Sequence, residues 1–187
     1  MILLDAYALL ALARDEPAAD EVEAIIRAGD AAISSVNLLE VLDGLLRRYG
    51  WSPAETSARV GLLIGERLRV VPADAEIAWR GALLRARYYD RSACALSLAD
   101  CVLLASARRD DAVVSSDPAL AAVARKEGID FVALPDSSGR RPWAKGSRQS
   151  AGRRAGNRTT SRIVSRPLRS IVSRSMPSPR PPVGGMP

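Results

Sequence analysis

Five short apolar runs punctuate the first two thirds of the chain, and each is followed by a stretch with apolar positions at helical spacing. The runs at 2–4, 31–34, 68–71, 112–115 and 131–134 have the pattern of strands buried on both faces. Helical spacing covers 8–13, 18–28, 38–49, 53–66, 75–87, 98–108 and 118–126. Punctuation agrees with these divisions: Gly50 and Gly128 follow helices, Ser52-Pro53 opens one, and Asp74 stands after Pro72 ahead of another. Strand–helix alternation predicts an α/β domain with a mostly parallel central sheet flanked by helices on both faces, joined by right-handed crossovers.

Charge divides the chain into two different polymers. Residues 1–136 hold 15 of the 27 basic residues and all 21 acidic ones, a net charge of −6, whereas residues 137–187 carry +12. The second segment is rich in Arg, Ser, Pro and Gly and contains an imperfect repeat, Ser161-Arg-Ile-Val-Ser-Arg then Arg169-Ser-Ile-Val-Ser-Arg. Its composition buries too little apolar surface to offset chain entropy, so 137–187 is expected to be a disordered basic tail on a domain spanning 1–136. Such a tail is either an electrostatic anchor for nucleic acid or an unselected extension.

Several function classes drop out. There is no histidine, which removes Ser-His-Asp catalysis, imidazole bases and His-ligated zinc. Cys94 and Cys101 are the only cysteines; they form neither a four-thiolate site nor a Cys-x-x-Cys pair, and are expected to be buried small hydrophobes. No P-loop or dinucleotide-binding glycine run occurs. No stretch reaches the roughly 20 apolar residues of a membrane span, and no signal peptide is visible. The expectation is a cytoplasmic protein without membrane contact.

What chemistry remains lies with the carboxylates. Asp5 directly follows the first apolar run, at the carboxyl edge of a parallel sheet, where open α/β folds place their ligands. It is equally suited to capping the next helix. Glu40 lies near the start of the helix after the second run, with Asn37 at capping-box spacing before it, and Asp43 one turn on suits a solvated face. Asp100 shares an apolar helical stripe with Leu96, Leu103 and Leu104, where an isolated charge is costly and needs a cation, a hydrogen-bond network or a raised pKa. Ser97 is the natural cap of that helix. Asp117 follows the fourth run and precedes Pro118, as an ordinary cap also would. A parallel sheet gathers such positions on one edge, and four carboxylates there repel unless a divalent cation neutralises them. Oxygen-only ligands suit Mg²⁺ or Mn²⁺, and metal-activated water attacking a phosphodiester is the fitting reaction.

LLDAYALLAL, SSVNLLEVLDGLL, LSLADCVLLASA and VVSSD, in this order, resemble the four acidic motifs of PIN-domain ribonucleases, most closely the VapC toxins of bacterial toxin–antitoxin pairs. The resemblance covers residues 1–135. It implies a PIN-like three-layer fold, Mg²⁺- or Mn²⁺-dependent endonucleolytic cleavage of RNA, homodimerisation, and a VapB-like antitoxin that masks the site. Carried over, it makes Asp5, Glu40, Asp100 and Asp117 the acidic catalytic residues, with Asp5, Asp100 and Asp117 holding metal and the Ser115 hydroxyl orienting the site. Tyr7 departs from the small polar residue many members have there, and 137–187 has no counterpart in a compact PIN domain.

Haloacid-dehalogenase-like phosphatases need a second Asp where Tyr7 stands, and receiver domains need a Lys near a late strand, whereas the body's one lysine, Lys126, falls on a helix. The remaining rival is a non-catalytic RNA-binding protein whose acids are caps and whose Arg-rich tail does the binding. For RNA contact within the acidic body, Arg47, Arg48, Arg85, Arg87 and Arg91 are the candidates, against the plainer role of a solvated helix face.

Overall fold

The structure is a computed structural model and describes residues 1–142. Five strands, β1 (Ile2–Leu4), β2 (Ala31–Ser34), β3 (Arg69–Val71), β4 (Ala112–Ser115) and β5 (Asp130–Ala133), form one parallel sheet in the order β3-β2-β1-β4-β5. Seven α-helices connect and flank them: α1 (Ala6–Arg14), α2 (Ala19–Arg27), α3 (Ser35–Asp43), α4 (Pro53–Glu66), α5 (Ala75–Tyr88), α6 (Leu98–Ser106) and α7 (Pro118–Lys126). The α/β class and parallel sheet expected from the alternation are present.

Both faces of the sheet are covered, which is why its strands read as unbroken apolar runs. Leu3, Ala32 and Val113 join a cluster with Leu103 and Leu104 of α6 and Leu120 and Val123 of α7. The period of two along a strand turns Leu4, Ile33 and Val114, all fully buried, to the opposite face. Register aligns Leu4 with Ile33 on one side and with Val114 on the other. The residues that follow these three positions, Asp5, Ser34 and Ser115, therefore stand side by side at the carboxyl edge of the sheet.

Helix starts follow their side-chain caps. Asp5, Ser34, Ser52, Asp74, Ser97 and Asp117 each accept a backbone N–H of the following helix. The start of α3 differs most from expectation. Ser34, not Asn37, caps α3, accepting from Asn37 N at 3.0 Å, so the helix begins three residues before the predicted 38. It then widens into a π-helical turn at Gly44–Arg48, where α3 runs past α1 so closely that a Cβ on Gly44 would lie 3.3 Å from Leu10 Cδ2. Helices α5 and α6 also meet closely, with Gly81 set against the carbonyl of Cys101.

Of the two thiols, both free, Cys101 is buried but Cys94 is only half-buried, because it lies in the loop before α6. Beyond β5, Asp136 holds a turn by accepting from Ser138 N and Arg140 N, each at 2.9 Å. Arg141 donates to the Ala133 carbonyl and to Glu21. The expectation of disorder in 137–187 falls, from 143 onward, outside the described residues. No helix among the described residues is long and apolar enough to cross a membrane.

Candidate active site

The strand order reverses at β1: the chain proceeds to β2 and β3 on one side and to β4 and β5 on the other. Open α/β sheets bind ligands in the crevice beyond the carboxyl ends of the strands at such a switch point. The residues leaving β1 and β4 there are Asp5 and the Ser115–Asp117 segment.

Asp5 is buried. Its Oδ1 accepts from Ala8 N at 2.8 Å, which caps α1, and its Oδ2 accepts from the Ser115 hydroxyl. The same Ser115 oxygen accepts from Asp117 N at 3.0 Å, so one buried hydroxyl links the ends of β1 and β4. Asp117 caps α7 through Oδ1, accepting from Ala119 N at 2.6 Å and Leu120 N at 3.3 Å. The capping interpretation of both acids is thus correct as far as it goes. It accounts for one oxygen of each.

Asp100 sits in the first turn of α6 in a reciprocal capping box: Ser97 Oγ accepts from Asp100 N at 3.0 Å, and Asp100 Oδ2 accepts from Ser97 N at 2.8 Å. Its Oδ1 makes no hydrogen bond to a described residue. Glu40 is exposed on α3, and with Ser34 as the cap it takes no part in a capping box. It is the acid with no structural task at its helix end.

Electrostatic repulsion links the four acids through Asp100. Burial first, and then the charges of Asp100 and Asp117, push the Asp5 carboxyl up to about 7 against the two hydrogen bonds that favour its charged form. Asp100 is raised first by burial, then by Asp117, with the Ser97 bonds and the Arg85 guanidinium acting against them. Glu40 is raised by the protein crowding its base and then by Asp100. Asp100 thus feels or exerts force on each of the other three. A buried carboxylate near two more is held in a state that a cation would relieve.

The donor set is carboxylate and hydroxyl oxygen, with neither imidazole nor thiolate among the acids, and it fits a hard divalent cation. Among the described residues no three acidic, histidine or cysteine side chains converge tightly enough to enclose an ion by themselves. A cation fits here on one or two carboxylates with water completing its shell.

Other neighbours were not legible from the sequence. Tyr7 donates its hydroxyl to the Pro135 carbonyl at 2.9 Å, tying α1 to the chain after β5. Burial, with Glu16, Asp136 and Asp5 nearby, raises the phenol to about 12. Arg85, counted above among surface arginines, donates to the Leu96 carbonyl ahead of α6 and stacks 4.0 Å from the centre of the Tyr89 ring. Of the other basic candidates, Arg47 holds Asp43 through two bonds at 2.9 and 2.8 Å. Arg87 pairs with Glu127 at 3.2 Å, and Arg48 lies over Tyr49. Arg91 is exposed.

Replacing Ser115 with Ala removes the buried donor to Asp5 and the part-buried acceptor for Asp117 N. The expected cost is about 1–3 kcal/mol, measured as a fall in the chemical-denaturation midpoint at unchanged slope. The same change raises the Asp5 pKa further, since the lost bond favoured the carboxylate.

These features define a parallel α/β domain with a carboxylate centre at its switch point. The PIN domain family model matches residues 2–126, and the chain belongs to that family. PIN domains are nucleases. No curated protein matches the chain. Among solved structures it is similar to DNA-bound VapBC from Salmonella typhimurium, at 22% identity and a TM-score of 0.54, covering 70% of this chain and 96% of that one. VapBC2 from Rickettsia felis, bound to a DNA fragment from its promoter, gives 15% and 0.53, covering 71% and 98%. FitAcB from Neisseria gonorrhoeae gives 20% and 0.52, covering 70% and 96%. At these identities the likeness shows the fold.

Proposed function

We propose that this PIN domain is a Mg²⁺- or Mn²⁺-dependent endoribonuclease that hydrolyses RNA phosphodiester bonds, acting as the toxin of a VapBC-type pair in the cytoplasm. The observation that carries the catalytic part is the buried Asp5, fixed by Ser115 at the switch point and pushed towards its neutral form by burial and by Asp100 and Asp117. An all-oxygen centre under like-charge strain suits Mg²⁺, which keeps several waters and binds through one or two carboxylates.

Asp100 and Asp117 each commit one oxygen to backbone N–H groups and keep the other for the cation, while Asp5, hydrogen-bonded through both oxygens, offers its remaining lone pairs. When bound, the cation supplies an acidified water and offsets charge on the leaving oxygen. Ser115 fixes the orientation of the Asp5 carboxylate by donating to its Oδ2. Glu40, exposed and with its pKa raised, orients the attacking water and accepts its proton.

Partner assignments rest on fold similarity to VapBC complexes together with the surface beside the acids. Leu39 and Leu98 are 64% and 67% exposed, one next to Glu40 and the other two residues before Asp100. A VapB-like antitoxin that masks the acids would also cover this apolar rim, and a homodimer is the assembly that goes with the proposal.

The test is incubation of the full chain, free of any antitoxin, with a mixed RNA pool in Mg²⁺, in Mn²⁺ and in EDTA. Cleavage in the metals and none in EDTA is the expected result. A folded protein that binds RNA but cleaves it under no metal would replace the nuclease with the tail-driven RNA-binding protein.

A further inference from the structure

The loops that enter β4 and β5 lie at the edge of the sheet opposite the acids. Between them and α5 is a cavity of about 520 Å³, within the usual range for small-ligand pockets, about 300–1,000 Å³. Arg80, Arg87, Arg108 and Arg109 line it, with Glu127 as the one acid. Leu84, Leu104 and Ile129 supply an apolar wall.

This concentration of positive charge is unusual on a body of net negative charge. Several arginines elsewhere are paired off, Arg14 with Glu16, Arg27 with Glu23 and Arg59 with Glu55. Here Glu127 engages Arg87 and also accepts from the Tyr88 hydroxyl, and Arg80 reaches the Ala107 carbonyl at 3.4 Å. Arg108 and Arg109 are exposed, and neither guanidinium has an ion pair among the described residues. Planar guanidinium forks match phosphate oxygens in pairs, and an apolar wall beside them accommodates the face of a base.

We infer that this cavity is a nucleotide-binding site, taking a phosphate at Arg108 and Arg109 and its base against Leu84, Leu104 and Ile129. The ligand is either a free mononucleotide or one nucleotide of an RNA strand. The inference goes beyond the nuclease reading, since binding here needs neither metal nor cleavage.

The experiment is photolabelling of the full chain in EDTA with 8-azidoadenosine 5′-monophosphate and, separately, with a short RNA carrying the same azido base, with adducts mapped by peptide mass spectrometry. Adducts are expected on 83–87, 104–109 or 127–129, competed by unlabelled AMP. They should fall at least about tenfold in the Arg108→Ala/Arg109→Ala double variant, whose unfolding midpoint should match that of the parent because both side chains are exposed and unpaired. Labelling by both probes identifies a free-nucleotide site, and labelling by the RNA alone a strand-binding site. Adducts confined to 143–187 or to the acidic edge, or labelling unchanged in the double variant, overturn the inference and leave these arginines to an acidic protein segment.

Discussion

Asp100→Asn is expected to leave a folded protein whose RNA cleavage in Mg²⁺ is lower by on the order of 10²–10³-fold, measured as initial rates on a defined RNA after its preferred site has been found. The amide keeps the structural half of the side chain. Its oxygen still accepts from Ser97 N, the bond that Asp100 Oδ2 makes at 2.8 Å, and the Ser97 cap on Asp100 N is untouched. What disappears is the negative charge, which contributes only modestly at a helix start but is what the proposed cation site draws on. The substitution therefore separates the two roles that the sequence left open. A variant with undiminished cleavage would reduce Asp100 to a capping residue and remove it from the site. Asp5→Asn should have a comparable effect on cleavage, whereas Asp43→Asn, one turn beyond Glu40 and engaged with Arg47 on the surface, should leave the rate unchanged.

The strands were legible because burial on both faces makes them short apolar runs, and β1, β2 and β4 fall at the expected residues. Sheet order was not. Nothing in the chain says that β4, rather than β3, lies beside β1, yet that pairing creates the switch point and lets Ser115 reach Asp5 across a separation of 110 residues. Helix caps were legible where the capping residue stands alone, as at Ser52, Asp74 and Ser97. Ser34 was hidden because it also ends β2, so Asn37 at N-x-x-E spacing took its place. The consequence touches the site: with the box gone, Glu40 has no local duty competing with a catalytic one. The π-helical turn at 44–48 and the approach of Tyr7 to Pro135 depend on how α1 meets α3 and the chain after β5. Neither leaves a local pattern.

Asp5 also makes the metal-free protein less stable as the pH rises, and this is the second large effect. Its folded pKa of about 7 lies above the ordinary 3.8. Between those values the native state retains a proton that the unfolded chain has released, so stability declines with rising pH. Below the lower value both states are protonated and the full stability is present; above the upper value both are ionised and the loss is complete. At about 1.4 kcal/mol per pH unit, this window amounts to about 4 kcal/mol, with Asp100 and Glu40, also raised, acting in the same direction. Asp5→Asn removes the titration while keeping the cap on Ala8 N. In EDTA the variant should match the wild type near pH 4 and exceed it by up to about 4 kcal/mol at pH 8, read from urea unfolding at both values. Mg²⁺ at pH 8 should then stabilise the wild type, because binding to the native state alone adds free energy by mass action, and should do little for Asp5→Asn. Parallel pH profiles for the two proteins would show that Asp5 ionises as an ordinary cap does. A difference that opens with pH and is narrowed by Mg²⁺ would mean that the fold holds a carboxylate at a cost to its own stability, which is what a centre built to receive a cation requires.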